Sequence, residues 1–82
     1  MDTIARLNDL VGTKGLLTTD HGEVPFTFLS VNPAPDLPQE ADLEAFHNAI
    51  SLSSFRVQFE EGILIDGSNT MTISGQFISR LF

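Results

Sequence analysis

The 82 residues contain no cysteine, so any catalytic or metal site would have to be built from two histidines, eleven carboxylates and a scatter of hydroxyls. Glu44 and His47 stand three apart, the helical spacing at which a carboxylate and an imidazole can share one metal. Di-iron bundles use two such pairs plus two further carboxylates. A single pair leaves the ligand set incomplete, and the expected role of these residues is a solvated polar helix edge. Asp20, His21 and Glu23 cluster in an expected turn and could attract a cation or move a proton, with His47 as a distant partner. A base without a matched acid or nucleophile and an oriented pocket is not a mechanism. No serine sits in a G-x-S-x-G elbow or an S-x-x-K pair. The run Asp66-Gly67-Ser68-Asn69-Thr70 lacks the spaced acids and closing glutamate of an EF-hand, and a hairpin turn accounts for it. There is no phosphate-binding glycine loop, and Arg6, Lys14, Arg56 and Arg80 are too few to line a nucleic-acid platform. The expectation is a protein that is not an enzyme, with no metal, no cofactor and no catalytic residue.

Charge is the unusual quantity. Eleven acids against four bases leave a formal net charge of −7, with an isoelectric point near 4.3. No lysine or arginine occurs from Gly15 to Phe55, whereas Asp20, Glu23, Asp36, Glu40, Asp42 and Glu44 all fall there, and Glu60 with Glu61 extend the field. Such a surface repels nucleic acid and anionic membrane and steers toward basic proteins at low salt.

These residues must be positioned by a small fold. A chain of this size buries only about 60–65% of the surface it exposes when unfolded, so its core must be efficient or completed by a partner. Seven phenylalanines supply most of the bulk. The clearest pattern is Phe55, Val57 and Phe59 alternating with Arg56, Gln58 and Glu60, the period of a half-buried strand. Glu61-Gly62 then allows a turn into Ile63-Leu64-Ile65, and residues 66–69 a second turn into a run from Met71, which reads as a three-stranded meander. In that last run Met71, Ile73 and Phe77 share a face, with Ile78 and Phe82 opposite, so the strand bulges near Gly75 or buries both faces.

Upstream, Asp2 is placed to cap a helix bearing Ile4, Leu7, Leu10 and Val11 on one face and ended by Gly12. Lys14–Thr19 and Val24–Val31 read as strands joined by the turn 20–23. Pro25 assigns the second strand to a sheet edge, or starts its pairing after residue 25. Asp36 with Gln39 suggests a capping box, with Pro38 in the first turn of a helix running to about Leu52 and burying Leu43, Phe46 and Ile50. The expected fold is a single α+β domain over residues 1–82. Its antiparallel sheet of about five strands, a hairpin plus a three-stranded meander, carries two helices in the order α-β-β-α-β-β-β.

The longest apolar run is three residues, and the N-terminus lacks a basic region and an apolar signal core, so a cytoplasmic protein without a membrane span is expected. In size, acidity and lack of catalytic residues the chain resembles the small inhibitors that phages and mobile elements encode, including anti-CRISPR proteins and nucleic-acid mimics. The resemblance lies in composition and assigns no residue; it implies binding rather than catalysis. Asp20, Glu23, Glu40, Asp42 and Glu44 are the candidate acidic face. It would dock on a basic protein partner that itself binds nucleic acid, without direct contact between this chain and nucleic acid. The alternative is a self-associating structural or assembly subunit, such as a homodimer. It would use a sheet edge and the apolar C-terminus, Phe77, Ile78, Leu81 and Phe82.

Overall fold

The computed structural model describes residues 2–60 and 67–81. Among these residues five strands form one antiparallel sheet: β1 (Lys14–Thr19), β2 (Gly22–Asn32), β3 (Ser54–Phe59), β4 (Thr70–Ser74) and β5 (Ile78–Leu81). Two helices, α1 (Thr3–Asn8) and α2 (Leu43–Leu52), precede β1 and β3, and a 3₁₀ turn (Gly75–Phe77) joins β4 to β5. The expected α+β class and element order hold. The meander does not: β3 pairs on one side with β2 and on the other directly with β4, the strand of the run from Met71, and the part of that run beyond Gly75 becomes β5, which pairs with β1 to give the order β4-β3-β2-β1-β5. The strand expected at Ile63–Ile65 lies outside the described residues.

That strand order dictates the shape. In a flat sheet four inter-strand steps of about 4.8 Å would hold β4 and β5 roughly 19 Å apart. Ser74 and Ile78 are joined by the three-residue 3₁₀ turn, and four residues span at most about 14 Å even when extended. The sheet must therefore roll over to bring its two edges together. Strand β2 provides the bend. Residues Gly22–Thr27 pair with β1 and Phe26–Asn32 with β3, and Leu29 is the extra residue where the second register shifts. A bulge of this kind sharpens twist and re-aims the strand.

Pro25 lies on a central strand, contrary to the edge expectation, opposite Leu16. The Phe28 N–H donates to Thr13 O on the β1 side, and backbone groups alternate between sides, so the missing Pro25 N–H faces β3. The β3 ladder begins only at Phe26 opposite Phe59, and nothing is lost. The β1–β2 loop is tighter than expected. Asp20 and His21 alone form it, with Thr19 Oγ1 donating to Gly22 O (2.7 Å) and accepting from His21 N–H (3.2 Å). Gly22 turns the corner at φ 116°, a conformation that other residues rarely adopt.

The core is aromatic. Phe26, Phe28, Phe55, Val57 and Phe59 are nearly or fully buried on the inner face of the sheet, while Pro25, Leu29, Arg56 and Gln58 point out, as the period-two pattern requires. Helix α2 contributes Phe46 and Ile50, α1 contributes Leu7, and Ile73 on β4 joins the cluster. The Arg6 guanidinium lies 4.1 Å from the centre of the Phe46 ring and ties α1 to α2 through a cation–π contact. On α1, Asp2 Oδ1 accepts from the Ala5 N–H as a cap. Ile4 and Val11 remain exposed, however, because the helix is only six residues long and buries only Thr3 and Leu7, of which Leu7 joins the apolar core.

Helix α2 begins later than the Asp36–Gln39 pattern implied. Asp36 adopts a left-handed backbone (φ 64°), and Leu37 precedes a proline that disfavours helical geometry at that position. Asp42 is the N-cap instead, its Oδ1 accepting from the Ala45 N–H at 2.8 Å. Leu43 is consequently the first helical residue and stands 66% exposed, and the buried stripe is Phe46, Ala49 and Ile50. The last apolar run is also divided. Its single expected strand breaks at Gly75, and the 3₁₀ turn resets the alternation, leaving Ile73 buried and Phe77 exposed.

Candidate functional site

The five candidate carboxylates come from three separate places. Asp20 occupies the tip of the β1–β2 loop. Glu23 is the second residue of β2 and accepts a 2.6 Å hydrogen bond from Ser79 Oγ on β5, which links the tip of this hairpin to the sheet edge. Glu40 makes an antiparallel backbone bridge to Asp2, and the Thr3 N–H donates to the neighbouring Gln39 O at 3.1 Å. Asp42 and Glu44 stand at the start of α2, where the partial positive charge of the helix terminus favours them. All five side chains are exposed. Glu60, expected to extend this field, has one carboxylate oxygen 3.9 Å from Lys14 Nζ, and Glu61 lies outside the described residues. The Glu23 bond thus ties the hairpin to β5, the Glu40 bridge ties the segment before α2 to Asp2, and the Asp42 bond caps α2.

Asp42 has a duty that the sequence pattern concealed. The signal was its position just before the Leu43, Phe46, Ile50 spacing, and the earlier Asp36–Gln39 pair masked it. Asp42→Ala should lower the free energy of unfolding by about 1 kcal/mol, read by chemical denaturation, while Asp42→Asn, which keeps the accepting oxygen, should cost little. Equal losses in both variants would assign the effect to charge and not to the cap.

Glu44 and His47 share the outer side of α2 with Ser51, whose hydroxyl donates to His47 O at 3.2 Å. Among the described residues the hollow along this side is lined by Asp42, Glu44, Ala45, His47, Asn48 and Ser51, all from α2 and its N-cap. Among the described residues no three His, Asp or Glu side chains are grouped so as to hold a metal ion. His21 is exposed at the loop tip. Ser53 is structural: buried at the end of α2, it donates to Ala49 O (2.8 Å) and accepts from the Ala34 N–H (3.0 Å), pinning the 33–42 segment to the helix.

The second candidate group lies together. Phe77 is 51% exposed on the 3₁₀ turn, and Ile78 and Leu81 are half-buried on β5, packed against the core. Phe82 lies outside the described residues. A groove of about 340 Å³ separates β5 from the side of α2 that carries His47, Ile50 and Ser51. Comparison of the chain with family models, with curated proteins and with solved structures finds no match.

Proposed function

We propose that this is a non-enzymatic binding protein that presents an acidic surface to a basic partner, in the manner of an inhibitor that occupies a nucleic-acid site. The observation that carries the reading is the segregation of charge. Asp20, Glu23, Glu40, Asp42 and Glu44 are all exposed, in a stretch of forty-one residues, 15–55, that contains no lysine or arginine. Carboxylates held on a rigid sheet and a capped helix can replace phosphates opposite Lys and Arg without paying for their own ordering. A cytoplasmic setting accords with this reading, and among the described residues no helix is long and apolar enough to cross a membrane.

The test must spare the acids that hold the fold, which excludes Asp42 as a helix cap. Asp20→Lys combined with Glu44→Lys should slow association with the partner by about tenfold at low salt, with the difference shrinking as salt rises. Retention of host proteins by the tagged chain, salt-gradient elution and displacement by added DNA or RNA supply the readout. Capture of a basic nucleic-acid-binding protein by the parent chain and its loss in the double variant is the expected result. Equal capture by both chains at low salt would reject the acidic face.

A further inference from the structure

The chain contains two sulfur atoms, in Met1 and Met71, and no cysteine. Met71 is the one among the described residues, and its place in the sheet is specific. On β4 it stands directly opposite Val57 of β3, and residues so paired share a face of the sheet. Val57 is 0% exposed on the inner face, so Met71 points inward as well, with Phe55 and Phe59 at the diagonal positions and Ile73 two residues along its own strand. Its side chain packs against that cluster yet is only partly buried, unlike Ile73 beside it. Met71 therefore sits at the margin of the core, within reach of solvent.

What the side chain does there depends on its oxidation state. As a thioether it is flexible and apolar and fills the space between β4 and the aromatic cluster. As a sulfoxide it is polar, and a strong acceptor oxygen pressed against apolar side chains without a donor is unfavourable. Strand β4 has five residues, and Ile73 is its one buried side chain. Beyond its ladder with β3, the strand thus rests on Ile73 and Met71.

We propose that Met71 is a reversible oxidation site through which a peroxide weakens the hold of β4 on the core. One oxygen of hydrogen peroxide transfers to Sδ: the O–O bond breaks, an S–O bond forms, and the other oxygen leaves as water. The sulfur is oxidised by two electrons and the peroxide is reduced by them. A dithiol-dependent sulfoxide reductase reverses the change, the oxygen leaving as water while the dithiol becomes a disulfide. This site is separate from the acidic surface, and neither reading depends on the other.

The experiment is treatment of the purified full chain with hydrogen peroxide, followed by peptide mapping and urea denaturation. In native buffer Met71 is expected to gain one oxygen at a rate within about a hundredfold of that in the urea-unfolded chain, because a side chain reached only through global unfolding reacts slower by a factor of about a thousand or more. The oxidised chain should have a folded-to-unfolded ratio lower by roughly tenfold or more, and the reductase should restore it. Met71→Leu nearly conserves volume and leaves Met1 as the remaining methionine. Its urea midpoint should be unmoved by the same treatment. Should that variant not fold, the two singly oxidised forms of the parent, separated by chromatography, give the same comparison, with only the form oxidised at residue 71 destabilised. Oxidation of Met71 slower than the hundredfold limit, or an unchanged midpoint in the form oxidised there, overturns the inference. An equal loss in peroxide-treated Met71→Leu would assign the effect to Met1 and reject it as well.

Discussion

Gly75→Ala is expected to lower the stability of the chain by about 4 kcal/mol, close to the whole stability of a small domain. A methyl group at this position would fall on the carbonyl of Ile50, with the Phe55 ring a further 3.0 Å neighbour. The obstacle is backbone and not a flexible side-chain end, so relief requires moving the end of α2 or the 3₁₀ turn. The glycine N–H also donates to Ser53 O at 2.8 Å, and the same displacement would break that bond. The constraint is one of space, since Gly75 is not among the residues with positive φ. Thermal melting should drop by roughly 15–30 °C on the usual scaling for a domain of this size. A fall below about 5 °C would mean that α2 and the turn separate readily, and the groove between α2 and β5 would then have no fixed width.

Phe28→Ala should cost about 3–5 kcal/mol. Phe28 is 1% exposed and sits between two edge-on aromatic contacts, with Phe26 at 4.8 Å and Phe55 at 5.2 Å between ring centroids. Each such pair adds about 0.5–1.5 kcal/mol beyond simple burial. The residue also lies where β2 passes from its β1 ladder to its β3 ladder, so the cavity would open at the bend that lets the sheet roll. Urea denaturation is the appropriate measurement. Phe28→Leu, which refills most of the volume, should lose less than half as much, and equal losses would point to the aromatic contacts over the cavity.

Both variants test features of different legibility. The Phe28 environment could be read directly, because strict alternation at 24–29 and 55–59 shows which side of each strand is buried whatever the strands pair with. Gly75 could be read only as a break in a pattern. Its reason, the close approach of Ile50 from 25 residues upstream, depends on where α2 comes to rest. The candidate acids divide in the same way. Their exposure was legible from residue type and from the charge-free stretch around them. The capping duty of Asp42 was not, because Asp36 with Gln39 offers an equally good local signal, and the choice between them rests on the left-handed Asp36 and on Pro38. The hydrogen bond from Ser79 to Glu23 joins residues 56 positions apart, which no local pattern anticipates.

Period, composition and turn chemistry are local properties. The sequence by itself thus determined the α+β class, the faces of β2 and β3, the Asp2 cap and the concentration of negative charge between Gly15 and Phe55. Strand order is a property of the whole chain. Only the tertiary structure decided that β5 leaves β4 to pair with β1, because that choice depends on the Leu29 bulge, on the fit of Gly75 against α2 and on the short 3₁₀ turn, which together force the sheet to roll. The groove between α2 and β5 follows from that closure, which residue spacing does not encode.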